Sequence, residues 1–242
     1  MSLALAAGLV LLAGLAIGAT SIGGVLVVPA LSGVAGVPVR EAVAASSFAF
    51  LLTGLAGLRI APPAARGDAA GWPLHAGAFV GAAGGAALVY LAPAAGVRTW
   101  VALFAFGSGL YTLVGMHAGA RRVGAWPRAV PLALIGAAVG LASALSGTGG
   151  PVALLPVCLL LGVPILPSVA SAQLVQVPVA LAASLAHGLA GNLNLRLGVL
   201  LGALLVVGAW LGRGIARRVA ARGLQRATAL GLMATGLLYG LL

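Results

Sequence analysis

Apolar runs follow one another along nearly the whole chain, at about residues 3–19, 22–35, 40–58, 70–91, 98–117, 129–146, 150–162, 165–187, 195–212 and 224–242. Several are near 20 residues, the length at which an α-helix crosses roughly 30 Å of hydrocarbon. The breaks between them carry Gly, Pro or Arg: Pro62-Pro63 with Arg66-Gly67-Asp68, Pro93, Arg121-Arg122, and Arg213 to Arg222. Only 6% of the 242 residues are charged, against roughly 25% in a soluble domain, so a water-facing coat is out of reach. A membrane β-barrel would alternate apolar and polar residues in short segments, and no stretch here does. The pattern predicts an all-α polytopic membrane protein and excludes soluble, disordered and nucleic-acid-binding classes.

Segments 22–35 and 150–162 are too short to span, and each follows a Gly-rich break. The first break reads Thr20-Ser21-Ile22-Gly23-Gly24, with Pro29 beyond it; the second reads Ser146-Gly147-Thr148-Gly149-Gly150, with Pro156 beyond it. Each is followed by Gly-Val-Pro, at Gly36-Val37-Pro38 and Gly162-Val163-Pro164, and then by a Ser-bearing helix, with Ser46-Ser47 in one and Ser171 in the other. The two series lie about 126 residues apart, half the chain. This predicts an internal duplication, with repeats at 1–122 and 123–242, each carrying a broken or re-entrant helix.

The charge is one-sided: thirteen Arg, no Lys, and two acids, Glu41 and Asp68. If both Gly-rich breaks were mere kinks, the loops on the two sides of the membrane would hold seven and six Arg. If both breaks reverse the chain, Arg59, Arg66, Arg121, Arg122, Arg128, Arg213, Arg217, Arg218, Arg222 and Arg226 fall on one side and Arg40, Arg98 and Arg196 on the other. Ten against three fits the positive-inside rule. Reversal at both breaks inverts the halves relative to one another and puts both termini outside. Residues 3–19 read as a retained helix, since the N-terminus shows neither a basic n-region nor a convincing cleavage site.

Broken helices at membrane depth leave backbone N–H groups at the start of their second halves, where the helix dipole is positive. Gly23, Gly24, Gly149 and Gly150 carry no side chain, and Thr20, Ser21, Ser146, Gly147 and Thr148 surround them with hydroxyl and backbone donors. Two such N-termini converging would bind an anion without any side-chain charge. Ser46, Ser47 and Ser171 on the following helices are parallel candidates, and Gln173 and Gln176 share a helix face from which amides could orient an oxyanion. Replacing Gly150 with Leu should then abolish transport and leave the fold intact. No acid lies mid-span, which argues against a cation pathway. His75 and His117 sit near segment ends, so His187 is the candidate for proton coupling. Cys158 reads as a small buried hydrophobe, Trp72, Trp100 and Trp126 as interfacial belt residues, and no motif asks for a metal or cofactor.

The Gly-rich break followed by Pro in each half, the duplication, and Gly191-Asn192-Leu193-Asn194-Leu195-Arg196 leading into Gly-rich helices together resemble the sulfite exporter TauE/SafE family. The resemblance is most specific from Ser146 through Pro156. It implies a bacterial inner-membrane transporter of the sulfite and organosulfonate class, sulfoacetate among them, and the inverted halves imply alternating access. Its partners would be the small anion and the lipid bilayer; homo-oligomer formation is left open. Asn192 and Asn194 read as caps of the next helix or as gate residues. Two other readings share the sequence: a passive anion channel, and an intramembrane serine hydrolase using Ser146 and His187.

Overall fold

The structure, a computed structural model, describes residues 2–60, 70–115, 126–216, 218 and 221–241. Pro62-Pro63, Arg66-Gly67-Asp68, His117, Arg121, Arg122, Arg217 and the 122/123 boundary between the expected repeats lie outside the described residues. The described residues are all helical or loop: α1 (Ser2–Thr20), α2 (Gly24–Val34), α3 (Val39–Ile60), α4 (Trp72–Leu91), α5 (Ala94–Gly115), α6 (Ala129–Ser146), α7 (Pro151–Leu160), α8 (Ile165–Leu189), α9 (Leu195–Ala216) and α10 (Ala221–Leu241). Seven of these, α1, α3, α4, α5, α6, α8 and α9, are long and apolar enough to cross a membrane. The polytopic membrane fold expected from the apolar runs is thus present. Helix α10 carries Gln225 and Arg226 in its first turns and lies antiparallel along α5, Gly109 facing Ala229 and Gly236 facing Phe106.

The short segments are short for identifiable reasons. Helix α2 changes winding twice, from a 3₁₀ turn over Gly24–Leu26 through Val27–Pro29 to a π turn over Ala30–Val34. Pro29 cannot donate a backbone N–H, and a wider turn after it absorbs the mismatch. Helix α7 carries Pro156 inside it. Both end at glycines with φ of +72°, Gly36 and Gly162, a left-handed conformation that glycine adopts without a Cβ clash.

Two pairs of helices pack at glycine-lined crossings. A Cβ on Gly14 of α1 would lie 2.8 Å from the Leu205 carbonyl oxygen of α9, and one on Gly208 would lie 2.5 Å from that of Leu11. On the α4–α6 pair, a Cβ on Gly85 would lie 2.5 Å from the Leu141 carbonyl oxygen, with Gly77, Gly81, Gly136 and Gly140 as tightly enclosed. Between apolar helices in lipid, small residues spaced four apart let backbones approach closely. In both pairs the contacts advance in the same direction along the two helices, so α1 runs parallel to α9 and α6 parallel to α4. Helices α3 and α8 cross antiparallel at the centre, with Gly54 against Val177 and Gly57 against Gln173.

Polar contacts define one face of the bundle. Arg40, in the first turn of α3, donates through Nη2 to the Ala92 carbonyl beyond α4 at 2.8 Å. Tyr90 Oη meets His187 Nδ1 near the end of α8 at 2.6 Å. Asn194 caps α9 by accepting from the Leu197 N–H at 3.1 Å, and its Nδ2 donates to Glu41 at 3.0 Å. Asn194 is therefore a cap, one of the two roles its position allows, and also a tie between α9 and α3. On the opposite face, the Ala70 N–H ahead of α4 donates to Ser171 Oγ near the start of α8 at 2.8 Å.

Candidate functional site

The two Gly-rich breaks meet inside the bundle. A Cβ on Gly24 would lie 2.8 Å from the Thr148 carbonyl oxygen and 2.8 Å from Phe50 Cζ, and one on Gly149 would lie 2.7 Å from Phe50 Cγ. Phe50, on α3 and only 2% exposed, thus stands between the first break and the second. The breaks share a backbone signature: Ser21 has φ of +59° and Gly147 has φ of +63°. Ser21 is the one non-glycine residue in that left-handed region among those described, a conformation uncommon for a side-chain-bearing residue and often seen at functional sites.

Gly23, Gly24, Gly149 and Gly150 are all buried, and their amide N–H groups find no acceptor among the described residues. The first N–H groups of any helix lack an intrahelical acceptor, and here two such sets of free donors face one another inside the bundle. They lie at or just before the N-termini of α2 and α7, where partial positive charge gathers.

The structure also shows what the missing side chains make room for. Bare glycines in the sequence predict an open approach for a ligand. Instead, the Cβ positions of Gly24 and Gly149 are met by Phe50, that of Gly23 by Ala13 and Ala16, and that of Gly150 by Val175. The glycines admit protein packing on their Cβ sides. Gly150 also has φ of +110°, so Gly150→Leu would strain the backbone and press on Val175. It would disturb the fold, where the sequence alone predicts an intact one.

The remaining candidates divide by how their polar atoms are used. Thr20 Oγ1 lies 2.8 Å from the Ala16 carbonyl and accepts from the Ile22 N–H at 3.3 Å, so it stitches the end of α1. Ser47 Oγ donates to Val43 at 2.9 Å. Ser146 Oγ donates to Ala142 at 2.8 Å and lies 3.0 Å from Thr148 Oγ1. Ser171 Oγ accepts from the Ala70 N–H. Ser46 differs: its Oγ is buried with no partner. It shares the α3 face of Val43 and Phe50, and those two residues touch Gly147 and Gly149.

Of the two glutamines, Gln173 Nε2 donates to Ser21 Oγ at 3.4 Å, touching the first break. Gln176 Nε2 donates to the Phe50 carbonyl and to Thr53 Oγ1, both at 2.9 Å, locking α8 to α3. Sequence reasoning does not reach Phe50 or Arg213 as site residues. Phe50 sits at the register of Gln176 in the other half, a signal visible once the Gly-Val-Pro stretches are aligned. His187 is fully buried, its Nδ1 held by Tyr90 and its Nε2 without a partner. Ser146 bonds its own turn and Thr148, so no Ser146–His187 hydrogen bond forms a hydrolase pair. Among the described residues no group of His, Cys, Asp or Glu could hold a metal ion.

An all-helical bundle with interrupted helices meeting in its interior is an arrangement that many membrane transporters use. The family model for sulfite exporter TauE/SafE matches residues 64–239, and the chain belongs to that family. The match takes in the second break and leaves α1 to α3, with the first break, outside it. Searches of curated proteins and of solved structures found no match. The family is one of small-anion exporters in membranes, so the protein is a transporter and not an enzyme.

Proposed function

We propose that the protein is a secondary transporter of small sulfur oxyanions, sulfite or an organosulfonate such as sulfoacetate, acting by alternating access in a bacterial inner membrane. The observation that carries this reading is the set of four buried glycines, Gly23, Gly24, Gly149 and Gly150, whose amides have no acceptor among the described residues, at the meeting of the two breaks. An oxyanion's several lone pairs match several converging N–H donors without needing a buried cation. Ser21, Ser46 and Thr148 add hydroxyls, and Gln173 orients the anion from α8. Thr20, Ser47, Ser146, Gly147 and Gln176 shape the breaks around it. Phe50 packs on the Cβ sides of Gly24 and Gly149 from α3, so a movement of α3 changes how closely the two breaks are enclosed.

The antiparallel crossing of α3 with its counterpart α8 supports inverted repeats, because equivalent helices of two halves related without inversion would run the same way. Exchange of conformation between such halves opens the site to alternate sides. Described Arg residues at helix ends follow the same division: Arg40, Arg98 and Arg196 belong to one face, Arg128, Arg213, Arg218 and Arg226 to the other. The positive-inside rule makes the second face cytoplasmic and both termini periplasmic. His187, with a free Nε2 beside Tyr90, is the group for proton coupling on the periplasmic side.

The test is uptake of radiolabelled sulfite into proteoliposomes, beside taurine, sulfoacetate and chloride, with and without a pH gradient. Gradient-driven sulfite or sulfonate flux that His187→Gln uncouples is the expected result. Flux that ignores the gradient and admits chloride would replace the transporter with a channel. No flux of any of these anions would withdraw the substrate assignment.

A further inference from the structure

A cavity of about 210 Å³ lies between α3 and α9, apart from the meeting point of the breaks. Thr53, Gly57, Trp210 and Arg213 are among its lining residues, and Arg213 is the single charged one. Arg213 lies within the membrane-crossing stretch Leu195–Ala216, one turn from its end. An arginine there would ordinarily extend its side chain along the helix toward the headgroups. This one turns inward. Its Nη2 lies 4.0 Å from the point where Gly57 would carry a Cβ, and Gln173 Oε1 lies 3.3 Å from that same point. The bare Gly57 backbone therefore leaves the gap across which Arg213 and Gln173 approach one another. The other end of the Gln173 amide donates to Ser21 of the first break. No described residue offers the guanidinium a hydrogen bond or an ion pair.

A half-buried guanidinium with no carboxylate partner among the described residues, in a cavity sized for a small solute, suits an anion. Its planar fork of donors matches two oxygens of one oxyanion. We propose that this cavity is a second binding station for a small sulfur oxyanion, held by Arg213 and handed to or from the break amides along Gln173. The inference rests on the transporter reading for its place in the path, but the binding it asserts does not require flux. The station belongs to the face of the bundle where α9 ends.

The experiment uses the full chain with Trp72, Trp100 and Trp126 changed to Phe, leaving Trp210 as the reporter in the cavity wall. Titration with sodium sulfite, with sodium chloride as the ionic-strength control, is expected to change Trp210 emission saturably. Arg213→Gln should move the midpoint at least tenfold upward, while Arg213→Lys, which keeps the charge, should move it less. Gly57→Leu, which fills the cavity, should abolish the response. In proteoliposomes of fixed orientation, Arg213→Gln should raise the sulfite KM from the α9 C-terminal face and leave the KM from the opposite face unchanged. No saturable response in the parent protein, or equal midpoints in the parent, Arg213→Gln and Gly57→Leu, would overturn the station. A normal Trp210 response without sulfite flux would instead sink the transport reading and leave the station standing. If Arg213→Gln does not fold, the midpoints of Arg213→Lys and Gly57→Leu against the parent decide the matter in the same way.

Discussion

The two breaks hold equivalent places in the chain and are built from different residues. The second reads Ser146-Gly147-Thr148-Gly149-Gly150, with glycine at all three positive-φ positions, +63°, +78° and +110°. The first reads Thr20-Ser21-Ile22-Gly23-Gly24, puts a serine at the left-handed position and holds Gly23 at an extended φ of 164°. The helices that follow differ too: at the register of Phe50 and Ser47 in the first half, the second half has Gln176 and Gln173. The second half therefore contributes amide reach, and the first contributes an apolar ring that fills the space between the breaks. Similar backbone plans at the two breaks thus carry different side chains on the helices that follow them.

The scaffold should be the part most alike. Gly18→Ala and Gly81→Ala each drive a methyl into a facing carbonyl, of Ala209 and of Ala137. Each is expected to cost about 3 kcal/mol, the upper end of ordinary overpacking. Thermal unfolding of the purified protein in detergent checks this. If one variant unfolded as the parent does and the other collapsed, the crossings would not be equivalent.

The glutamines sharpen the other side of the comparison. Gln176→Ala removes two hydrogen bonds that lock α8 to α3, and should lower stability by about 2 kcal/mol with the sulfite KM nearly unchanged. Gln173→Ala leaves only a long contact to Ser21 behind. It should change stability by less than about 0.5 kcal/mol and raise the KM about tenfold. The reverse pattern in the same two assays would exchange their roles.

Much of this plan is legible in the chain because it rests on spacing. Apolar runs of spanning length mark the helices, and the repeated Gly-Gly and Gly-Val-Pro mark the breaks and their end glycines. Helix α5 starts four residues earlier than the hydropathy suggests, at Ala94, because Pro93 ends α4 without leaving room for a longer loop. What spacing does not carry is which surface each side chain meets. Phe50 looks like one apolar residue among many, and only the fold brings its ring against both breaks. Arg213 looks like a loop cation, and only the bare backbone of Gly57, facing it from α3, gives it a direction. The glycines of the breaks are legible as special, but the neighbours that their missing side chains admit are not.

The smallest effect tests the finest difference between the breaks. Ser21 sits where its counterpart is glycine, and the left-handed conformation costs a side-chain-bearing residue about 1 kcal/mol. Ser21→Gly removes that strain, while glycine's greater freedom in the unfolded chain offsets about half of the gain. The variant should be more stable by about 0.5 kcal/mol. Its sulfite KM should rise only about threefold, since the lost contact to Gln173 is long, at 3.4 Å. Ser21→Ala loses the same hydroxyl and keeps the strain, so it should match the glycine variant in KM and fall below it in stability. Equal stabilities for the two would mean that Ser21 leaves the left-handed region in the working protein. Equal KM values for Ser21→Gly and the parent would mean that the serine is held there for something other than the anion.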